Sequence, residues 1–465
     1  MTNIKSVITL ISVCVLSGCN LAPHYQRPAL PIKTSWKNGS ATGETAAEMQ
    51  WSKFFTDADM KQLVSLAIAN NRDVRVAALN VELAQDKLGI SRADLYPSIS
   101  ASLTKTAAHL PGGLYSTATT GPVTYQQYEG NLATASWELD FFGRLRNLNE
   151  EAKESYLSTA STQQAVMLGM VADVAQAYVT LSMDKDLQKV ATLTALNQQH
   201  AVSMIQAQLK AGVANEQDLL QAQTALHTAQ ADQEKYARQV SEDISTLELL
   251  IGCAVPDPIV HRATLNKAWA FPALRSGLES TVLTRRPDIM AAEHTLKSAN
   301  ADIGVARAAF FPSISLTASG GSMSAGLSDL FKGGTAAWTF SPSVNLPIFA
   351  GGRNLAQLKE SETSKKIAVA NYEKAIQKAF KEVSDALDAK QTYNNEAAIR
   401  KIDLQTNQRY FSISQLRYQQ GMDNYLNVLT AQRSYYSSEQ AYLTTYASAI
   451  EKNITLYKVL GGGWQ

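Results

Sequence analysis

The feature that most constrains the fold is a phrase that occurs twice in the chain. The sequence reads SRADLYPSISASL from Ser91 and VARAAFFPSISLT from Val305, so that Pro97 and Pro312 begin the same Pro-Ser-Ile-Ser tetrapeptide 215 residues apart. An Arg-Ala pair stands shortly before the tetrapeptide in both copies. A fold for this chain must therefore place two equivalent segments in equivalent surroundings.

The similarity between the two halves extends well beyond this phrase. At the same offset Asp73 aligns with Asp288, and Gly89 aligns with Gly304. After a slip of register, the later matches are LDFFGRLRNL with LPIFAGGRNL, and KAGVANEQDLLQAQ with QQGMDNYLNVLTAQ. A period near 210 residues is far longer than the repeat of a solenoid, which is roughly 20–50 residues. The pattern therefore indicates a duplicated half-molecule.

The duplication divides the chain into five predicted segments. They are a signal peptide at 1–18, a lipidated N-terminal segment at 19–56, a first repeat at 57–252, a linker at 253–272 and a second repeat at 273–465. Each repeat is predicted to contain a leading helix, a strand hairpin and two long helices. The predicted hairpins cover residues 96–142 and 311–349.

Alternating apolar and polar residues predict the β-strands of each hairpin. In the return strand of the second half the apolar face is Trp338, Phe340, Val344, Leu346 and Ile348, and the polar face is Thr339, Ser341, Ser343 and Asn345. The return strand of the first half is expected to have an apolar face and a polar face as well. The apolar face is Ala133, Ala135, Trp137, Leu139 and Phe141, and the polar face is Ser136, Glu138 and Asp140. Pro342 counts against the return strand of the second half because proline removes a ladder donor.

An alternating strand fits two kinds of protein. In a soluble sandwich the apolar face points to a core, whereas in a membrane barrel it points to lipid and the polar face lines an aqueous lumen. The N-terminus, described below, favours the membrane. Four strands are too few to close a barrel, since the smallest have about eight, so oligomerisation is expected to complete it.

The rest of each half is predicted to be helix of unusual length. No proline occurs from Val123 to Val255 or after Ile348. A leading helix is expected from Asp57 to Arg92, and its counterpart should begin at Pro287, a residue favoured in the first helical turn. Runs this long indicate coiled coil. The rods should reverse at KAGVANE and QQGMDN, with Gly212 and Gly421 as helix C-caps.

The N-terminus resembles a bacterial lipoprotein signal. A positive residue precedes an apolar stretch of about ten residues, which is too short to span a bilayer. The sequence LSGC then ends at Cys19 and predicts that this cysteine carries covalent lipid. Asn20 is not the aspartate that retains a lipoprotein in the inner membrane, so we expect the outer membrane. Cys253 lies in an apolar stretch and is expected to be a small buried residue.

Composition and motifs exclude several function classes. The net charge is +1, which gives no electrostatic footprint for nucleic acid. The six histidines show neither metal-ligand spacing nor pairing with cysteine, so no metal site is predicted. We find no phosphate-binding loop and no catalytic constellation. The sequence therefore predicts a protein that is not an enzyme and needs no cofactor besides the lipid on Cys19.

Four motifs in order resemble one known family. They are RRPDI at 285–289, ARAAFFPSISL at 306–316, NLPIF at 345–349 and LYKVLGGGW at 456–464. Together they are similar to the lipoprotein branch of the TolC-like outer-membrane factors, and the similarity covers essentially all of the mature chain.

This resemblance implies a fold, a set of partners and a function. The implied fold class is an all-α protein with membrane β-strands. It forms a homotrimer in which each chain gives four strands to a 12-stranded β-barrel that continues into a long α-helical coiled-coil tunnel. The implied partners are a periplasmic adaptor (membrane fusion) protein, an inner-membrane RND-type pump and outer-membrane lipid, without nucleic acid. The implied function is the exit duct of a tripartite efflux pump.

The resemblance also implies a gate at the periplasmic helical turns. The matching stretch is RYQQGMDNYLNVL, from Arg417 to Leu429. Threefold symmetry would bring Asp423 of each subunit near the axis, where a ring of carboxylates attracts cations. Arg417 and Tyr418 are expected to hold neighbouring helices together, and Asp218 is the acidic residue of the matching first-half turn. Asn427 and Thr430 stand where some members of the family have aspartates, which indicates a less acidic gate.

Two other classes of protein remain open. A protein-secretion duct could share the architecture, and a structural coiled-coil lipoprotein could lack a pore. The exported compound is also undetermined. Drugs are the default expectation, and monovalent copper or silver ions are the second, although the methionines form no cluster along the sequence.

Overall fold

The computed structural model describes residues 20–32, 36, 43–111, 121–275 and 280–462. The predicted acylation site, Cys19, and the predicted signal peptide lie outside these residues.

The first half contains four long or medium helices and two strands. Helices α1 (Ala58–Asn70) and α2 (Arg72–Ala93) lead into strands β1 (Ile99–Leu110) and β2 (Val123–Leu139), followed by helices α3 (Arg144–Lys210) and α4 (Glu216–Ile251). Shorter elements are the helices Trp51–Phe54 and Asp257–Arg262, a 3-10 turn at Ala46–Glu48 and a parallel pairing of Glu44–Thr45 with Leu274–Arg275.

The second half repeats this order. Helix α5 (Pro287–Ala308) precedes strands β3 (Ser313–Ser324) and β4 (Ala336–Asn345), followed by helices α6 (Arg353–Gln419) and α7 (Tyr425–Val459). Short 3-10 turns cover Ser280–Arg285 and Leu327–Asp329. Helices α3 and α6 each contain 67 residues, or about 100 Å of rod. The duplication and the long helical hairpins predicted from the sequence are confirmed.

The leading helix of the first half differs from the prediction. It is not continuous from Asp57 to Arg92, because Asn71 adopts an extended conformation between α1 and α2. The Asn71 side chain accepts a hydrogen bond from the amide of Val74 and donates one to the carbonyl of Leu250. Asn71 is therefore the N-cap of α2 and is also hydrogen-bonded to α4, and it divides the predicted leading helix into α1 and α2. Helix α5 begins at Pro287, as predicted.

The four strands form one antiparallel sheet with the order β1-β2-β3-β4. Its two edge strands, β1 and β4, run in opposite directions, because every neighbouring pair is antiparallel. Trp338, Phe340 and Val344 remain 61–79% exposed, and no second sheet of comparable size covers them within the described residues. The soluble-sandwich alternative therefore does not apply.

The register of β3 and β4 confirms the two faces predicted for β4. Ile314 pairs with Val344, and Ala318 pairs with Phe340, on the apolar face. On the other face the Ser315 and Ser343 hydroxyls lie 2.7 Å apart, and a similar contact of 2.8 Å joins Ser319 to Thr339. Strand β4 ends at Asn345, so Leu346 and Ile348 lie beyond it. Pro342 is accommodated on an edge strand, where proline is tolerated.

The alternation predicted for β2 is wrong on one side of a bulge. Thr134 pairs with Ala318, whereas Trp137 pairs with Leu316, so β2 contains one extra residue between them. A bulge of this kind reverses the face on which later side chains lie. Ala133 therefore shares the polar face with Ser319, whereas Trp137 and Leu139 lie on the apolar face.

The chain divides into two compact units, which each contain segments from both halves. The described residues of the first unit lie within 20–28, 81–159 and 292–372, and this unit holds the sheet. The second comprises residues 29–80, 160–291 and 373–465. An aromatic cluster forms part of the core of the second unit, in which the Phe54 and Tyr457 rings stack 3.9 Å apart and the Tyr457 hydroxyl donates to the carbonyl of Met49.

One further sequence expectation is modified by the structure. Cys253 is half-buried rather than fully buried. Helix α3 contains a stretch long and apolar enough to cross a membrane by length and composition, although the sequence shows no continuous apolar run there. Because 56% of that stretch is buried within the protein, packing against other helices accounts for its composition.

Candidate functional site at the helical turns

The two helical turns at the free ends of the long hairpins are built in the same way. Helix α3 ends at Lys210 and is followed by Gly212 with φ +76°, and α6 ends at Gln419 and is followed by Gly421 with φ +73°. The amide of Val213 donates to the carbonyl of Gln208, and the amide of Met422 donates to that of Arg417. This is the hydrogen bonding of a Schellman motif, whose left-handed position favours glycine. The predicted C-caps are confirmed.

An asparagine starts the returning helix in each turn. The Asn215 side chain accepts from the amide of Asp218 at 2.8 Å, and the Asn424 side chain accepts from the amide of Asn427 at 3.2 Å. Asparagine is among the best N-cap residues because its side chain satisfies a helix-terminal donor. The sequence comparison aligned these turns, but it did not identify either asparagine as a cap.

Within the second unit, the two turns pack against each other through an apolar cluster. Its buried members are Val202, Ile205, Ala222, Ala225, Leu226, Tyr425, Val428 and Leu429, and Tyr418 and Phe411 pack against them. These residues come from both long hairpins. The cluster therefore fixes the first-half turn beside the second-half turn at the end of the rods.

Arg417 and Asp423 form an exposed ion pair across the second-half turn. The Arg417 Nε donates to Asp423 Oδ2 at 2.6 Å. This hydrogen bond and the positive charge lower the pKa of Asp423 below its usual value. Arg417 was expected to contact a neighbouring helix, but its partner lies in the turn that follows its own helix.

Tyr418 links two helices of the same chain. Its hydroxyl donates to Gln208 Oε1 of α3 at 3.0 Å. Its ring meets that of Tyr425 edge-on, with the centroids 5.7 Å apart. Tyr418 thus connects the second-half turn to helix α3 of the first half.

Tyr425 is the central residue of the site, and the sequence analysis did not single it out. Burial raises its pKa to about 12, and the nearby Asp218 carboxylate acts in the same direction. Its hydroxyl has no hydrogen-bond partner within the described part of the chain. The structure therefore brings Tyr418 and Asp218 together around Tyr425, while Arg417 and Asp423 pair in the exposed part of the turn. The sequence signal that could have identified Tyr425 is its position directly after the Asn424 cap.

Asn427 and Thr430, which stand where some members of the family have aspartates, make contacts through uncharged side chains. The Asn427 side chain contributes to lowering the pKa of Asp423, and the Thr430 hydroxyl donates to the carbonyl of Leu426. Neither adds charge to the turn.

Across the described ranges, no three His, Cys, Asp or Glu side chains lie close enough together to hold a metal ion.

Comparison with known proteins identifies the family. The model of the family described as outer membrane efflux protein matches residues 63–253 and 278–462, once in each half. The chain is 40% identical over 467 residues to the antibiotic efflux pump outer membrane protein ArpC of Pseudomonas putida, and the match covers 99% of this chain and 96% of the relative. The same figures apply to a toluene efflux pump outer membrane protein, TtgC, of the same species.

A solved structure agrees with this result. The open state of the Neisseria gonorrhoeae MtrE outer membrane channel superposes with a TM-score of 0.89 at 32% identity, covering 96% of this chain and 99% of that one. The chain therefore belongs to the outer membrane efflux protein family. It is an outer-membrane protein that acts as the exit duct of an efflux pump, and the fold and function that its motifs predicted are confirmed.

Proposed function

We propose that three copies of this chain close a 12-stranded barrel and export organic solvents and antibiotics through it. The observation that carries the assembly is the four-stranded sheet, whose edge strands run in opposite directions. In a ring of copies, β4 of one copy therefore meets β1 of the next in antiparallel orientation. A cyclic head-to-tail interface of this kind closes without leaving an edge.

The strand lengths support a position across a bilayer. Strands β3 and β4 contain 12 and 10 residues, which matches the roughly 9–11 residues that a tilted strand needs. The apolar face, with Phe340 and Val344, would face lipid. The hydroxyl-rich face, with Ser343 and Thr339, would line the water-filled lumen.

The proposed substrates follow from the relatives. Two proteins named for antibiotic and toluene efflux match nearly the whole chain at 40% identity. A duct passes what its pump delivers, and the match covers 96% of each of these relatives. Export of uncharged or amphiphilic organic compounds is therefore favoured over export of monovalent metal ions or proteins.

The proposed partners are a periplasmic adaptor and an inner-membrane RND-type pump. Apolar side chains remain exposed at both turns, and adaptor contact would cover them. Val213 and Met422 are 76% and 62% exposed, and Leu416 and Leu426 are also exposed. Exposed apolar groups concentrated at one place are typical of protein interaction sites.

The turns would also form the gate, at which Asp423, Asp218, Arg417 and Tyr418 act. The Arg417–Asp423 ion pair is exposed, and the hydrogen bond from Tyr418 to Gln208 is partly buried. Exposed ion pairs contribute little stability, and a single hydrogen bond contributes only modestly. Adaptor binding could therefore rearrange them at modest cost.

Separately, acylation of Cys19 would attach the N-terminus to the outer membrane, since two or more acyl chains give stable anchoring.

The proposed substrate is tested by deletion of the gene and complementation in the host. Deletion should increase susceptibility to toluene and to antibiotics, and the wild-type gene should restore resistance. Susceptibility to copper and silver salts and the export of proteins should not change. A phenotype confined to metal salts, or to exported proteins, would replace the proposed substrate by the corresponding alternative.

Mass spectrometry of the purified protein tests the anchor. The mature N-terminal peptide should begin at Cys19 and carry the added mass of its acyl chains. An unmodified Cys19 would exclude lipidation without affecting the proposed duct.

A further inference from the structure

The segment that follows Cys19 lies as an extended strap along helix α5, within the first unit. Arg27 makes two hydrogen bonds to the Glu293 carboxylate, at 3.0 and 2.8 Å, and the Tyr25 hydroxyl donates to the same carboxylate. Further along, the Asn300 amide donates to the carbonyl of Pro23 at 2.8 Å. Finally, Arg307 donates to the carbonyl of Leu21 at 3.1 Å.

The three anchoring residues of α5 match the strap in spacing. Glu293, Asn300 and Arg307 recur every seven residues, so they lie on one face of the helix and span roughly 21 Å. The strap from Leu21 to Arg27 covers roughly 20 Å when extended, at about 3.3 Å per residue. The lengths agree, and each anchor meets the strap in order. The contacts therefore define a register rather than a loose association.

The groove for the strap is shaped by a small residue. A Cβ atom on Gly304 would lie 2.9 Å from the Cβ of Ala22 and 2.5 Å from the Asn147 amide nitrogen. Only glycine allows this close approach at that position. Glu293 is 5% exposed and Asn300 is 6% exposed. Two of the anchors are thus buried polar groups whose hydrogen bonds depend on the strap.

The strap leads toward the end of the sheet where helices become strands. Helix α5 ends at Ala308, just after the Arg307 anchor, and β3 begins at Ser313. Large apolar side chains are exposed at the junctions on this end of the sheet: Tyr96, Phe310, Phe311, Ile348 and Phe349. Aromatic residues of this kind mark the boundary between membrane and water in barrels.

We propose that the strap is a positioning device that holds the N-terminus of the mature chain at the membrane boundary of the barrel. The hydrogen bond from Arg307 fixes Leu21, close to the start of the described chain, beside the last turn of α5. The lipid surface that receives the chain is the inner leaflet beside the exposed aromatic residues. Glu293, Asn300 and Arg307 act as positioning residues, and the placement does not require the acyl chains.

The decisive test removes the acyl chains, because they would tether the N-terminus to lipid without any strap. The protein carries Cys19→Ser and is exported by an ordinary signal peptide, so that it is not acylated. Cys253→Ala removes the other thiol, and Leu21→Cys is labelled with bimane. It is reconstituted into phosphatidylethanolamine–phosphatidylglycerol vesicles that contain nitroxide-headgroup lipid. The label should be quenched in this background. Adding Tyr25→Ala with Arg27→Ala should abolish the quenching.

A matched control lies in the strap itself. His24 and Gln26 are exposed and alternate with the residues that face α5, so His24→Ala with Gln26→Ala should leave the quenching at the parental level. Heat-modified mobility of the trimer confirms folding of each variant. If the first double variant does not fold, Glu293→Gln provides a second test, which should also reduce quenching.

Two results would overturn the inference. One is an unquenched label in the parent without acyl chains, and the other is parental quenching in the folded Tyr25→Ala, Arg27→Ala protein. Conductance of the same vesicles is recorded separately, so that a failure of the strap is distinguished from a failure of the duct.

Discussion

At the residue scale, the buried carboxyl pair of Asp184 and Asp243 is the clearest electrostatic anomaly. The two side chains face each other between α3 and α4, and Asp184 is only 3% exposed. Burial raises the pKa of both groups, and the neighbouring Asp184 helps to bring that of Asp243 to about 7. Glu242 adds to this rise, whereas Lys235 acts in the opposite direction on Asp184.

This pair predicts a loss of stability as the pH rises. The pKa of Asp243 is higher in the folded protein than the roughly 3.9 of an unfolded chain, so the folded state binds more protons between these values. Stability should fall by up to about 1.4 kcal/mol per pH unit as the pH rises toward about 7, and then level off. The measurement is the apparent Tm of the trimer across this range. Asp243→Asn should flatten the profile.

The exposed Asp86 supplies the control, because Asp86→Asn removes a carboxylate that water already solvates. That variant should keep the parental profile. A parental Tm that does not change with pH would mean that water or another subunit stabilises both charges of the Asp184–Asp243 pair.

The gate prediction also belongs to single residues. Asp423→Ala should reduce cation selectivity or raise single-channel conductance, because it removes a carboxylate from the constriction and leaves Arg417 without its partner. Combining it with Arg417→Ala should preserve the loss of selectivity. Glu216→Gln, in the first turn of α4, is a control that should leave conductance unchanged. Parental conductance and selectivity in both Asp423 variants would place the gate elsewhere.

The sequence identified four residues of this site but not how they are paired. Gly212 and Gly421 could be predicted because only a few residues suit a left-handed C-cap. The contact of Tyr418 with Gln208 joins residues 210 positions apart, and no local pattern encodes it. The raised pKa of Asp243 is equally invisible in the sequence, because it depends on a partner in another helix.

At the scale of elements, period-two alternation predicted the strands well until a bulge intervened. The faces of β4 follow directly from its sequence, and the hydroxyl contacts with β3 bear this out. The extra residue of β2 between Thr134 and Trp137 leaves no signal in the hydrophobic pattern. The Asn71 break is similar, because it depends on the carbonyl of Leu250.

The two faces of β4 give a paired prediction. Val344→Arg should destabilise the inserted barrel by about 2–4 kcal/mol if this position lies near the bilayer midplane, because the charge enters lipid. The neighbouring Ser343→Arg should be much milder, since its side chain would reach the aqueous lumen. Folding titrations into vesicles provide the comparison. Equal damage from both substitutions would contradict the assignment of faces.

At the scale of the whole molecule, barrel closure by neighbouring copies can be tested with disulfides. In a Cys253→Ala background, Ser341→Cys on β4 is combined in turn with Ser100→Cys, Ser102→Cys or Thr104→Cys on β1. One combination should give a ladder that ends at three chains on a non-reducing gel, because these edges meet only between copies. Ser315→Cys with Ser343→Cys is the control, and it should close within one chain.

The central claim is that the assembled protein is a duct, and single-channel conductance tests it most directly. The purified wild-type protein in a planar bilayer should give discrete current steps of uniform size and prefer cations, because Asp423 of each copy supplies a carboxylate to the proposed constriction. A correctly folded trimer that inserts into the bilayer and yields no steps, even in the Asp423→Ala variant, would contradict the account.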